Sequence, residues 1–268
     1  MDTYFFKDEK LPFVECRITK ESVKHYKAHF HDTLSIGALI GSKVLYTVED
    51  RKNVFKPGSL AIINPLTIHS CNPINNKKRS YYMLYLDIEW CKKIQKSIFD
   101  NNKFIRSYMD ILSDNDIYEE YIYVMNFFVK KGYGIMEKEQ RLINLIAKIF
   151  KKVIPKDIRS ETNISFDILR VKDILSKDLD KTITLEELSK TVAINPYTLL
   201  RKFKNEIGCT PHNFRLNKRV EFAKRLLQKG EEISIVALEC GFYDQTHFQK
   251  YFKALTTLTP KEYQKNYV

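Results

Sequence analysis

The apolar positions of this chain follow two rhythms. Over residues 13–87 they come in short runs rich in Val, Ile, Tyr and Phe, which predicts strands at 13–18, 34–40, 44–49, 60–64 and 81–87. Turn-forming residues separate them: Gly41-Ser42, the stretch 50–53, Pro57-Gly58, Asn64-Pro65 and the stretch 72–76. Many short strands with no helices between them predict a sandwich or small barrel. Over 90–154 the rhythm becomes helical. Its clearest part is the stripe Leu142, Leu145, Ile146, Ile149, Phe150 and Val153, one apolar face of a helix. Such a stripe can pack on its own domain. It can also pair with a twin, which would make Leu142, Leu145 and Ile149 a homodimer surface. A polar stretch opened by Pro155 then reads as a linker. The chain divides into a sheet-rich domain with trailing helices over 1–155, a linker over 156–164 and an all-helical domain over 165–268.

The helical domain carries its own punctuation. Ser165 precedes a helix with Ile168, Val171, Ile174 and Leu175 on one side. Thr184-Leu185-Glu186-Glu187 and Thr259-Pro260-Lys261-Glu262 are capping boxes. Asn195-Pro196 opens a helix bearing Leu199 and Phe203, and Gly208 closes it. Thr210-Pro211 starts a long connecting helix with the seam Leu216, Val220, Ala223 and Leu227, ended by Gly230.

The stretch from Gly241 to Lys253 reads as the turn and second helix of a helix-turn-helix. Gly241 permits the sharp turn, Asp244 caps, and Phe248 and Phe252 share one face. A shift of 49 residues reproduces it upstream. Asn195 falls on Asp244, Leu199 on Phe248, Arg201 on Lys250, Phe203 on Phe252, Lys204 on Lys253, and Thr210-Pro211 on Thr259-Pro260. Two copies are too few for a solenoid and match two tandem helix-turn-helix units joined by the long helix.

Net charge is +12, which invites a nucleic-acid reading. Its distribution adds little, because residues 166–268 carry a net +5 and residues 1–165 a net +7. Cys16, Cys71, Cys91, Cys209 and Cys240 are scattered and lack a C-x-x-C, the pattern of reduced core thiols rather than disulfides. No apolar run reaches membrane-spanning length, and the first residues lack a signal-peptide design. A cytoplasmic, nucleoid-associated protein without membrane contact is expected. His29-Phe30-His31 places two imidazoles on one side of an extended segment, with His69 after a later strand. These could ligate a metal, or line and cap a barrel mouth.

The segments Leu199-Leu200-Arg201-Lys202-Phe203-Lys204, Arg219 to Leu227, Gly241 to Phe248, Phe252-Lys253 and Thr259-Pro260 resemble the DNA-binding domain of the AraC/XylS family of bacterial transcription regulators. His29-Phe30-His31-Asp32 and Pro57-Gly58-Ser59-Leu60 leading to His69 are similar to that family's cupin-like sensor domain. The chain departs from the family pattern at Ser189, where Ala is usual, at Thr257, a common Gly, and at Gln264, a common Arg. The resemblance implies an α+β, two-domain fold. A cupin-like β-barrel or jelly roll followed by helices precedes an all-α domain of two helix-turn-helix units. It implies a sequence-specific regulator, more an activator, that places two recognition helices in adjacent major grooves of double-stranded DNA. Tyr197, Leu200 and Arg201 would read bases in one groove, and Gln245, Thr246, Gln249 and Lys250 in the other. Lys204 and Lys253 would hold phosphates. RNA polymerase and a small-molecule effector are the implied partners, the effector bound near His29, His31 and His69. The competing reading is a cupin-type metalloenzyme with an accessory helical domain. No carboxylate follows His31 at the spacing that completes a cupin metal set: Asp32 would point to the opposite face, and the next acid is Glu49. No metal, cofactor or catalytic residue is therefore assigned.

Overall fold

A computed structural model describes residues 3–130, 133–155 and 164–267. The expected linker lies outside them except for its last residue. The chain forms two compact units. One comprises Met1–His25 and His31–Arg159, the other Tyr26–Phe30 and Ser160–Val268.

Among the described residues, the first unit has nine strands: β1 (Thr3–Phe6), β2 (Val14–Ser22), β3 (Leu34–Leu39), β4 (Val44–Val48), β5 (Arg51–Phe55), β6 (Leu60–Ile63), β7 (His69–Pro73), β8 (Arg79–Leu86) and β9 (Ile111–Leu112). They form a six-stranded sheet in the order β1-β2-β8-β3-β6-β9 and a three-stranded sheet in the order β5-β4-β7. Every pairing is antiparallel. Three helices follow the β8 strand: α1 (Ile88–Phe99), α2 (Asn115–Val129) and α3 (Ile135–Val153). The larger sheet is a middle layer, which is why β3 is buried along its whole length. Ile36, Ala38, Ile62, Leu84 and Leu86 join the core shared with the helices. Leu39, Ala61, Ile63 and Tyr81 join Val44, Tyr46, Val48 and Phe55 in the core against the smaller sheet. Period-two alternation separates these two sets. The hydroxyls of Tyr118 and Tyr121 on α2 donate to the carbonyls of Leu39 (2.6 Å) and Ile36 (2.7 Å), fixing the helix on β3.

Two findings correct the sequence reading. The stripe Leu142, Leu145, Ile149 is fully buried in its own domain, each residue 0% exposed among Cys16, Leu84 and Phe128. It offers no dimer surface, because burying each side chain there already contributes about 1.5–3 kcal/mol to the fold. The stretches 50–53 and 72–76, read as turns, supply part of β5 and the end of β7. Between β4 and β5 the turn is only Glu49-Asp50, with Glu49 at φ 53° and Val48 opposite Arg51. The polar run Arg51-Lys52-Asn53 is an exposed edge strand, which apolar patterning cannot reveal.

The second unit holds α4 (Phe166–Ser176), α5 (Leu185–Val192), α6 (Pro196–Ile207), α7 (Pro211–Gln228), α8 (Ile233–Glu239), α9 (Gln245–Thr256) and α10 (Pro260–Gln264). Both capping boxes are formed, at Thr184 with Glu187 and at Thr259 with Glu262. Ser165 stands at the start of α4 as the sequence predicts, but its side chain does not cap that helix. Its backbone N–H (2.8 Å) and hydroxyl (2.9 Å) donate to a carboxylate oxygen of Glu206 on α6. The residues Tyr26–Phe30, inside the stretch expected to belong wholly to the first domain, pack here. The Phe30 ring, 1% exposed, lies 5.1 Å from that of Phe214 on α7.

Candidate nucleic-acid interface

The two candidate recognition helices, α6 and α9, are built alike. Each has 12 residues. Asn195 Oδ1 accepts from the Tyr197 N–H (2.9 Å) with Pro196 in the first turn, and Asp244 Oδ1 accepts from the His247 N–H (2.7 Å). These side chains satisfy amide donors that no helical carbonyl can reach. Leu199 and Phe203 anchor α6 in the core, and Phe248 and Phe252 anchor α9, all four at 0% exposure. Each helix ends in a left-handed residue, Gly208 at φ 85° and Thr257 at φ 64°.

The outer faces carry the candidate contact residues. Tyr197 is 73% exposed. Arg201 and Lys204 on α6, and Gln245, Thr246, Gln249, Lys250 and Lys253 on α9, are also exposed, while Leu200 is half-buried. Among the described residues, no side chain pairs with Arg201, Lys204, Gln245, Gln249, Lys250 or Lys253. Lys202, off this face, is instead tied to Asp167 at 3.1 Å. Uncommitted guanidinium, ammonium and amide groups on a helix face are the donors that base edges and phosphates accept.

Sequence reasoning missed how the loop entering the first helix-turn-helix is held to the connecting helix. Arg215 Nη1 donates to the carbonyls of Leu175 (3.2 Å) and Lys177 (3.3 Å), and its Nη2 to those of Asp178 (2.6 Å) and Lys181 (2.7 Å). One turn on, Arg219 donates to Leu179 O from Nε (2.9 Å) and to Lys181 O from Nη2 (3.0 Å). Burial pushes both guanidinium groups below the usual arginine range, and this ring of carbonyl dipoles holds their charge. The loop entering unit one is thereby clamped to the connecting helix. The only trace in the sequence is a pair of arginines spaced i, i+4 beside the apolar seam.

In the sheet unit, His31 and His69 come together, both buried, with ring centroids 5.1 Å apart. Tyr85 lies edge-on to His31 at 5.1 Å. The Nδ1 atom of His69 is 3.0 Å from Thr67 O, and a carbonyl only accepts, so Nδ1 carries the proton and Nε2 the lone pair. Both imidazoles offer nitrogens of metal-ligating or hydrogen-bonding type. His29 belongs to the second unit, where it stacks on Tyr26 at 5.4 Å and bonds Lys27 O through Nδ1 at 2.7 Å.

A sheet-rich domain joined to two helix-turn-helix units defines a two-domain, DNA-binding transcriptional regulator. Residues 12–128 match the AraC-like ligand binding domain, and residues 188–266 match a helix-turn-helix domain. The chain belongs to the AraC family. It is 25% identical over 237 residues to an uncharacterized HTH-type transcriptional regulator, YbfI of Bacillus subtilis, covering 87% of this chain and 85% of that one. A probable transcriptional regulator, LumQ of Photobacterium leiognathi, is 25% identical over 248 residues, 92% and 94% of the two chains. The fold is that of ToxT from Vibrio cholerae, with a TM-score of 0.65 at 14% identity over 95% of this chain and 98% of that one. Both matched families and the names of these relatives are those of transcriptional regulators, which does not favour the metalloenzyme alternative. Among the described residues, no helix is long and apolar enough to cross a membrane.

Proposed function

We propose that α6 and α9 enter two adjacent major grooves on one face of double-stranded DNA, about 34 Å apart. One observation carries this reading. The same capped helix, anchored by the same pair of positions, occurs twice at a 49-residue offset with an outer face of uncommitted polar side chains. In unit one, Arg201 suits a bidentate contact to guanine, and Tyr197 and Leu200 suit thymine methyls. In unit two, Gln245 and Gln249 suit adenine, with Thr246 and Lys250 beside them. Lys204 and Lys253 hold phosphates and set register. Hydroxyl-radical footprinting tests this. Two protected patches on one duplex face, about 10–10.5 base pairs apart, are expected. A single patch, or protection all around, contradicts it.

The family supports the rest of the reading. The protein activates transcription through RNA polymerase, within the cytoplasm and at the nucleoid. The domain over 1–155 binds a small effector near His31 and His69, and the domain over 165–268 binds DNA. Replacing His31 is expected to change the effector response of a reporter gene while leaving operator affinity without effector unchanged. An unchanged response removes His31 from the effector site.

A further inference from the structure

The segment Tyr26–Phe30 belongs to the DNA-binding unit although it lies between β2 and β3 in the chain. Its contacts there are specific. The Phe30 N–H donates to Asn217 Oδ1 on α7 at 3.3 Å, and the Asn217 Nδ2 is held by Asn213 O at 2.8 Å. The Phe30 ring packs 5.1 Å from Phe214, which lies edge-on at 5.7 Å from Phe203 of the first recognition helix. At the other end, the Lys27 N–H donates to Ala254 O in the last turn of α9 at 3.3 Å. The Thr257 hydroxyl, at the end of that helix, lies 3.4 Å from the Tyr26 hydroxyl. One short segment therefore touches the connecting helix, reaches the first recognition helix through a single ring, and holds the C-terminal end of the second.

We infer that Tyr26–Phe30 is a strap that sets the orientation of the two recognition helices relative to each other, and so the operator spacing the protein accepts. The physical ground is that helix packing is bistable rather than elastic, so filling or emptying one aromatic site changes which arrangement is stable. Phe30 fills such a site between α7 and the segment. Asn217 and Ala254 supply acceptors that would otherwise go to water. The strap's ends run into β2, which closes at Ser22, and β3, which opens at Leu34. Residues 23–25 and 31–33 join the strap to those two strands. The inference rests on the two-groove reading, and the wild-type protein alone decides that reading.

The test uses the full chain and a duplex that the wild-type chain selects from a randomised library. Affinity is measured on that duplex and on versions with one base pair added or removed between the half-sites. Wild type is expected to lose at least tenfold on either altered spacing. Phe30→Ala is expected to lose about tenfold on the selected duplex and to discriminate spacing less than threefold, while Phe30→Leu keeps most of both. Asn217→Ala is the second variant, and it reads the same ratio if Phe30→Ala does not fold. A variant that retains the wild-type spacing ratio overturns the inference, whether or not its overall affinity falls. A wild-type selection that returns one half-site removes the two-groove reading, and the strap's role with it.

Discussion

A Cβ placed on Gly241 would lie 2.3 Å from the carbonyl oxygen of Leu179 and 2.8 Å from Nη2 of Arg219. Leu179 sits in the loop that enters unit one, and Gly241 in the turn of unit two, so the two helix-turn-helix units touch backbone to backbone. Gly241 is also at φ 73°, where a side chain costs energy even in open space. Gly241→Ala is expected to destabilise the helical unit by about 3 kcal/mol, combining left-handed strain with a clash that only a backbone shift relieves. Thermal unfolding measures this. A loss under about 1 kcal/mol would mean that the loop moves aside freely.

Thr257 occupies the equivalent of a helix-closing glycine and is β-branched at φ 64°. Thr257→Gly is expected to raise stability by about 0.5–1 kcal/mol, the relief of left-handed strain less the greater freedom of glycine in the unfolded chain. A fall in denaturation midpoint would show that the hydroxyl beside Tyr26 outweighs that strain.

The caps of the recognition helices give a matched pair of tests. Asn195→Ala and Asp244→Ala each remove an acceptor for first-turn amides and are expected to cost about 1 kcal/mol of unfolding free energy. Equal operator affinity and equal stability in either variant would show that its helix does not depend on the cap.

Thiol chemistry separates a sensor cysteine from core cysteines. Burial pushes the thiols of Cys209 and Cys240 up to about 12 and that of Cys71 up to about 11, and raises those of Cys16 and Cys91 further. A raised value keeps each thiol protonated, and so unreactive, at pH 8. Mass-spectrometric alkylation of the native protein is expected to label none rapidly, and all five after denaturation. Fast labelling of one site in the native protein would identify an open thiol.

Local chemistry made the helical half legible. Capping residues, proline starts and a repeated apolar pair act within a few residues of where they stand, so Thr184, Asn195, Asp244 and Thr259 mark helix starts without knowledge of the fold. The strands 34–40 and 60–64 were visible because both faces of β3 and β6 are buried. The polar edge strand β5 was hidden for the opposite reason, and β9, with two residues, is too short to show a period. Contacts between distant residues left no sequence trace. Phe30 looks like any aromatic residue between two histidines until Phe214, 184 positions away, packs on it. Departures from the family pattern resolve locally. The Ser189 hydroxyl donates to Glu186 O at 2.8 Å, and Gln264 Nε2 donates to Glu231 O at 2.7 Å.

The most direct measurement is a binding selection over randomised operators for wild type, Arg201→Ala, Gln245→Ala and Lys253→Ala. Arg201→Ala is expected to cost about 1–3 kcal/mol and to relax preference at one base pair. Gln245→Ala should relax preference at a different position, about one helical turn away. Lys253→Ala should weaken all sequences alike and lower the slope of log affinity against log salt by about one unit. If Arg201→Ala and Gln245→Ala alter the same base pairs, or neither alters any, the two helices do not read two grooves.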